Sequence, residues 1–201
     1  MNALILAALA AVPMDARQAV LVGAESPALS SATVYALERS RGSWRTARGP
    51  IAAVIGRGGF ALPGQKIEGD GKTPSGVYGL SLAFGYAASA ATKLPYRQAK
   101  EDDLWVDDAN APDYNTWAKK GKTAAASFER MRRDDDMYKW GVVIDYNTAP
   151  VVKGKGSAIF LHLWSGAGAA TSGCVAMSEG DMLALLAWLD PKKKPVVVLG
   201  Y

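Results

Sequence analysis

The sequence of 201 residues contains a single cysteine, Cys174, and a single histidine, His162. A disulfide within the chain is therefore excluded, and so is a zinc site built from cysteine and histidine ligands. We predict neither a metal nor any other cofactor. If the protein is exported to an oxidising compartment, an unpaired thiol is a liability unless it has a function.

Other features are also scarce. No apolar run reaches the roughly 18 residues that a membrane span needs, and no run of basic residues is interleaved with aromatic ones. Lys and Arg total 23 against 19 Asp and Glu, a net charge of +4. This mild basicity suits an anionic polymer such as a bacterial wall and gives no indication of nucleic-acid binding. With 49% hydrophobic and 21% charged residues, the chain is typical of one globular domain.

The N-terminus differs from the rest of the chain. Ala3 to Val12 is an unbroken apolar run of the length of a signal-peptide core, followed by Pro13 and by small residues such as Ala16. We predict that residues 1–16 are a signal peptide, and that no membrane span remains after its cleavage. No Lys or Arg precedes the run, so an apolar N-terminal helix packed on the domain stays open as the alternative.

The predicted fold class is predominantly β with flanking helices (α+β). Residues 87–138 are interpreted as an inserted loop and helix region over the β-domain, with helix-forming composition from about 123 to 133. A single domain is expected to cover residues 17–201. Strand-like composition and glycine-rich turns predict strands at Gln18–Gly23, Ala32–Arg39, Ile51–Ile55, Val77–Leu80, Trp140–Tyr146 and Pro195–Leu199.

The segment from Ile159 to Trp164 alternates so that Phe160, His162 and Trp164 share one face of a strand. A glycine-rich loop, residues 165–173, follows it. Ser178 then has the position of a helix N-cap, and the amphipathic helix after it is expected to stop at Asp190-Pro191.

Cys174 directly follows Gly173 at the end of this loop, twelve residues after His162. A thiolate is the strongest nucleophile available to the chain, and imidazole can take the thiol proton near neutral pH. The amides of Gly173 and Cys174 are candidates for an oxyanion hole. Taken singly, a free cysteine is often a buried apolar residue and a histidine a satisfied core residue. Taken together, the two residues favour a catalytic pair.

The block from Ile159 to Met177 and the segment from Lys72 to Tyr78 (KTPSGVY) resemble the YkuD-type L,D-transpeptidase family. The resemblance extends over about residues 17–201, and residues 131–147 resemble a stretch found in a proteobacterial branch. It implies a β-sandwich-like catalytic domain whose cysteine attacks an amide carbonyl of a peptidoglycan stem peptide. The resulting thioester is passed to a side-chain amine of a neighbouring stem.

By this resemblance Cys174 is the nucleophile and His162 the general base, with the backbone carbonyl of Leu163 orienting the imidazole. Gly173 and Ser172 are the candidate oxyanion and orienting residues. The expected partner is peptidoglycan stem peptides, the expected location is the periplasm of a Gram-negative envelope, and the expected state is a monomer. Trapping by carbapenem-type β-lactams is a further expectation.

The signature departs from the family pattern in three respects. Ser172 stands where a histidine is usual, and Ala176 stands where an arginine commonly follows the cysteine; the loop between His162 and Cys174 is also shorter. The arginine is a planar cation suited to a stem-peptide carboxylate. The crosslink type, three-to-three or one-to-three, therefore stays open.

Several alternatives also stay open. The same thioester chemistry with water as acceptor would give an L,D-carboxypeptidase, an endopeptidase or an amidase. An inactive wall-binding module and a cytosolic thiol sensor are alternatives of other classes. The predicted substrate-binding residues are Trp164, Tyr138, Trp140, Arg132 and Arg133, for which packing or a solvated helix face is the competing interpretation.

Overall fold

A computed structural model describes residues 9–201. The strands within this range are β1 (Gln18–Gly23), β2 (Ser31–Ser40), β3 (Ser43–Val54), β4 (Gly76–Gly85), β5 (Tyr96–Gln98), β6 (Asp103–Val106), β7 (Trp117–Lys119), β8 (Phe128–Arg130), β9 (Trp140–Ile144), β10 (Phe160–Leu163), β11 (Val175–Met177) and β12 (Val196–Gly200). Helix α1 covers Glu179–Trp188, and a 3-10 turn covers Pro191–Lys193.

The main sheet has the strand order β12-β1-β2-β3-β11-β10-β9-β4-β5. Strand β12 is parallel to β1 on one side and antiparallel to β4 on the other, with Val197 opposite both Val20 and Tyr78. This second pairing joins the first eight strands of the order into a closed ring. The predicted class, predominantly β with a sandwich-like arrangement, is confirmed.

The interior of the ring is filled by side chains from alternate strand positions. Leu161 and Leu163 of β10 point into this core, whereas Phe160 belongs to a second apolar cluster together with Cys174. The alternation predicted for Ile159–Trp164 is therefore confirmed. Helix α1 contacts β9 and β10 and packs Leu185 into the main core. Ser178 is its N-cap, as predicted, because its side chain accepts the amide of Asp181.

The region at residues 87–138 forms a separate three-stranded sheet in the order β7-β6-β8. The helix expected at about 123–133 is wrong. Residues Phe128–Arg130 pair instead with β6, because the free edge of that strand offers backbone partners that outweigh local helix propensity. This small sheet lies beside the main one, with the ring of Trp105 packed edge-on against Phe160 at 5.0 Å.

The segment before β1 packs on the outer side of the ring. Leu9, Val12 and Ala16 are buried in a cluster with Leu21 and Val198. This packing is expected of an apolar N-terminal segment that packs on the domain, the alternative to a signal peptide. Cleavage of a signal peptide stays a prediction. Residues 1–8 lie outside the described residues. Within residues 9–201, no helix has the length and apolar composition that crossing a membrane requires.

Candidate active site

The parallel pairing of β10 and β11 brings the histidine and the cysteine together. His162 is opposite Ala176 in the register, and Cys174 lies two residues before Ala176, on the same face of the sheet. Both side chains line a cavity of about 270 Å³. We call it the histidine cavity; its wall also includes Glu129, Arg133, Met137, Tyr138, Trp164, Thr171 and Ser172.

His162 is only 5% exposed, and its ring packs edge-on against Tyr138 at 5.2 Å. Its Nδ1 lies 2.7 Å from the carbonyl oxygen of Leu163. Because a carbonyl only accepts, Nδ1 carries the proton in this contact, and Nε2 of the neutral ring has the free lone pair. Burial lowers the pKa of His162 to about 4, so the ring is neutral at pH 7.

Cys174 is 7% exposed, and backbone groups hold its thiol. The Sγ–H donates to the carbonyl of Ala158 at 3.2 Å, and Sγ accepts the amide of Phe160 at 3.3 Å. Burial, and next the charge of Glu129, raise the pKa of the Cys174 thiol well above its usual value. The resting pair is therefore a neutral thiol beside a neutral imidazole.

The carbonyl that receives the thiol is fixed by a buried amide side chain. Asn115 Oδ1 accepts the amide of Ala158 at 3.1 Å and the indole N–H of Trp105 at 2.9 Å. Ala158 has a φ of 52°, a left-handed conformation that a non-glycine residue adopts only when its surroundings enforce it. Asn115 therefore links the inserted region at residues 87–138 to the backbone under Cys174.

The threonine of the KTPSG segment anchors the loop that carries the nucleophile. Thr73 is fully buried; its hydroxyl donates to the carbonyl of Gly173 at 2.8 Å and accepts the amide of Gly56 at 2.9 Å. Gly173 itself has a φ of 150°, and a Cβ there would lie 3.0 Å from the carbonyl oxygen of Lys72. The close approach of these segments explains why a glycine precedes Cys174.

A second cavity, of about 260 Å³, lies beside the first. We call it the charged cavity, because it is lined by Arg57, Lys66, Glu68, Asp107 and Glu129. Cys174, Ser172 and Glu129 line both cavities, so the thiol lies between them. In the part of the chain that the structure describes, no group of acidic, histidine and cysteine residues has the arrangement of a metal site.

The predicted substrate-binding residues divide into two groups. Arg133, Tyr138 and Trp164 line the histidine cavity. Arg132 and Trp140 line neither cavity, so the structure does not bring them to the thiol, and their part in substrate binding stays a prediction. The guanidinium of the exposed Arg132 stacks on the ring of Tyr86, and Trp140 packs on the main core.

The sequence reasoning missed the charged cavity. Glu129 lay in the segment predicted to be helical, and its carboxylate instead accepts the Tyr138 hydroxyl. Arg57 lies after β3, and Asp107 lies after β6. The one local signal was the acidic and basic sequence KIEGDGK, residues 66–72, directly before the threonine that anchors the cysteine loop.

A cavity with a larger volume than either of these lies elsewhere in the fold. This cavity, of about 650 Å³, lies against β1–β3 and is lined by residues such as Leu21, Tyr35 and Thr46. Its wall contains neither the cysteine nor the histidine, and Glu25 is its only carboxylate. The chemistry of the chain is therefore concentrated in the two smaller cavities.

Comparison with known families decides the relationship. The sequence profile of YkuD, the L,D-transpeptidase catalytic domain, matches residues 29–198. The chain belongs to the YkuD family. The resemblance noted in the sequence is thereby confirmed, and the matched range includes both cavities and the strands that carry His162 and Cys174.

Two crystal structures of the helical cell shape determining protein Pgp2 from Campylobacter jejuni, one of them of a point mutant, are similar to this YkuD domain. Both are 20% identical to the chain, with TM-scores of 0.47 and 0.46. The match covers 92% of this chain but 48% and 47% of the Pgp2 chains, so this chain spans about half their length. No curated protein sequence matches it.

Proposed function

We propose that this YkuD domain is a peptidoglycan L,D-transpeptidase that crosslinks stem peptides through a thioester on Cys174. One observation carries the proposal: the only thiol and the only imidazole of the chain line the same cavity, His162 from β10 and Cys174 from the residue directly before the neighbouring strand β11. Membership of a family of L,D-transpeptidase catalytic domains supplies the reaction class.

In the first half-reaction His162 acts as the general base. The thiol of Cys174 turns from the carbonyl of Ala158 and gives its proton to Nε2 of His162, and the thiolate attacks the carbonyl carbon of the donor stem. When the tetrahedral intermediate collapses, the C–N bond breaks and the leaving amine takes the proton from His162. The product is a thioester on Sγ.

In the second half-reaction an amine of a neighbouring stem attacks the thioester carbon. His162 Nε2 accepts a proton from this amine, the C–S bond breaks, and the thiolate recovers the proton. A new amide bond then joins the two stems. The bond links either the third positions of both stems or a first and a third position. The nearest rivals, a carboxypeptidase, an endopeptidase or an amidase, use water as the acceptor in the same step.

The developing oxyanion needs donors near Cys174. Gly173 N–H already donates to Thr171 Oγ1 at 3.1 Å, which leaves the amide of Cys174 as the main-chain donor. The hydroxyl of Ser172 accepts a hydrogen bond from Arg57 at 3.0 Å, so its own proton is available as a second donor. We propose that these two groups stabilise the oxyanion. The function further implies an exported, periplasmic protein, and we propose that it acts as a monomer.

The proposal is tested by incubating the full chain with disaccharide tetrapeptides and reading products by mass spectrometry. Crosslinked dimers are expected, together with a trapped thioester on Cys174, and fragmentation identifies the linked positions. Shortened monomers would assign hydrolysis instead. Cys174→Ala is expected to lose all turnover while keeping its unfolding temperature and its binding of stem peptides. If the unsubstituted protein binds wall fragments without turnover, it is an inactive binding module and the proposal is wrong.

A further inference from the structure

The two cavities differ in which of their charged side chains have no ion-pair partner among the residues that the structure describes and can therefore bind a ligand. Arg133 is the one cation of the histidine cavity, and the Asp135 carboxylate engages it through contacts at 2.9 and 3.0 Å. With Ala176 at the second position after the cysteine, the described residues 9–201 give that cavity no uncommitted cation for a stem-peptide carboxylate. A carboxylate on the substrate would need another partner close to the thiol.

We propose that the charged cavity binds an amino-acid zwitterion of a stem peptide, a carbon that carries both a free ammonium and a free carboxylate. Arg57 binds the carboxylate, and Asp107 and Glu129 bind the ammonium. This inference rests on the proposed function, because it names the part of the stem peptide that the same site recognises.

Backbone hydrogen bonds hold Arg57 against the loop that carries Cys174. Its amide donates to the carbonyl of Thr171 at 2.8 Å, and the amide of Thr171 donates to the carbonyl of Ile55 at 2.9 Å. One guanidinium nitrogen, Nη1, donates to the hydroxyl of Ser172 at 3.0 Å. Among residues 9–201 no carboxylate pairs with Arg57, so the remaining donors of its planar fork are available for a carboxylate.

Gly71 gives the guanidinium its room. A Cβ on Gly71 would lie 2.9 Å from Cζ of Arg57, and the φ of 68° at Gly71 also favours glycine. The side chain of Arg57 therefore lies over the backbone of the segment that leads to Thr73. Arg57 is hydrogen-bonded to Thr171 and Ser172 of the cysteine loop, and Thr73 of the neighbouring segment is hydrogen-bonded to Gly173. These bonds set the position of the guanidinium relative to Cys174.

The acidic side of the cavity has an acceptor without a donor. Oδ1 of Asp107 is buried and has no hydrogen-bond partner within the described part of the chain. Burial is the main cause that raises the pKa of Asp107 and of Glu129, and the charge of Asp107 adds to the effect on Glu129. A substrate ammonium would supply the missing donor and offset the repulsion between the two carboxylates.

The other two charged residues of this cavity already have partners. Lys66 forms an ion pair with Asp70 at 2.7 Å, and Glu68 accepts the hydroxyl of Ser157 at 2.7 Å. What remains is one cation and two carboxylates in about 260 Å³ next to Sγ. A space of this size holds several waters and is enough for the end of an amino acid.

The test uses synthetic stem peptides in three forms: with the zwitterionic end free, with its carboxylate amidated, and with its amine acetylated. Acylation of Cys174, followed by intact mass, is the readout, because an acetylated amine cannot act as acceptor in the second half-reaction. For the unsubstituted protein, each modification is expected to lower kcat/KM for this acylation about 10- to 100-fold, since one charge-assisted contact is lost. Arg57→Gln is expected to lose the same factor with the free peptide and nothing further on amidation. Asp107→Asn is expected to lose discrimination against the acetylated amine only.

Arg45→Gln is the matched control, since Arg45 is an exposed arginine of β3 that lines neither cavity. The proposal is overturned if Arg57→Gln still discriminates against the amidated peptide as the unsubstituted protein does. Titrating Cys174→Ala with the three peptides separates this failure from that of the proposed function, since it measures binding without turnover. Equal affinity for all three peptides would overturn the zwitterion site even in an active transpeptidase. Thermal unfolding of each variant confirms that it folds.

Discussion

The two cavities beside Cys174 share a wall but differ in chemistry. The histidine cavity contains a neutral imidazole, aromatic rings and an arginine already paired with Asp135. The charged cavity contains Arg57, Asp107 and Glu129, groups that have bonding capacity left over. The difference indicates a division of labour in which one side moves protons and the other recognises charge. Removing a group on one side should therefore leave the work of the other side intact.

The largest expected effect comes from the histidine side. His162→Gln removes the base at Nε2, so kcat/KM for crosslinking is expected to fall about 10²- to 10⁴-fold. Binding of a zwitterionic stem peptide, measured by titration in a Cys174→Ala background, is expected to change less than about twofold because the charged cavity is untouched. If peptide affinity fell together with the rate, the division between the cavities would be wrong.

A smaller effect is expected from the wall that both cavities share. Thr73→Val keeps the shape of the side chain but removes the hydroxyl that joins Gly56 to Gly173. Two buried backbone groups lose their partner, so the free energy of unfolding is expected to fall by about 2–4 kcal/mol. Urea unfolding measures this change, and Thr73→Ser is the control that keeps both hydrogen bonds. Stability of Thr73→Val equal to that of the unsubstituted protein would contradict this role of Thr73.

The smallest effect is a change in thiol reactivity. Burial, and next the charge of Glu129, raise the pKa of Cys174, so Glu129→Gln is expected to lower that pKa in part and speed alkylation by iodoacetamide about 3- to 10-fold at pH 8. Glutamine can still accept the Tyr138 hydroxyl, which preserves the packing. Glu101→Gln, an exposed control, should leave the rate unchanged. A slower alkylation in Glu129→Gln would show that this carboxylate assists the thiol instead of suppressing its ionisation.

The sequence predicted the part of the site that depends on local regularities. The two-residue period of β10 placed His162 on one face with Phe160, opposite the face that packs into the core. The cap at Ser178 followed from a local hydrogen bond. These features are encoded within a few residues, so a single sequence is sufficient to recognise them.

The charged cavity could not be predicted in the same way. Arg57 and Asp107 come from distant segments that only the tertiary structure brings together. Glu129 is placed by the pairing of β8 with β6, which outweighed the helix-forming composition of its segment. Nearness in sequence was also misleading, since Arg132 and Arg133 are neighbours and only the second lines a cavity.

The pairing of β12 with both β1 and β4 affects how the chain acquires its structure. Residues 196–200 supply the partner for two strands whose own residues lie more than a hundred positions earlier. Until residues 196–200 leave the ribosome, β1 and β4 each have an edge of unsatisfied amides and carbonyls. The ring can therefore form only after synthesis of the domain is complete, and a shortened chain would present those edges for aggregation.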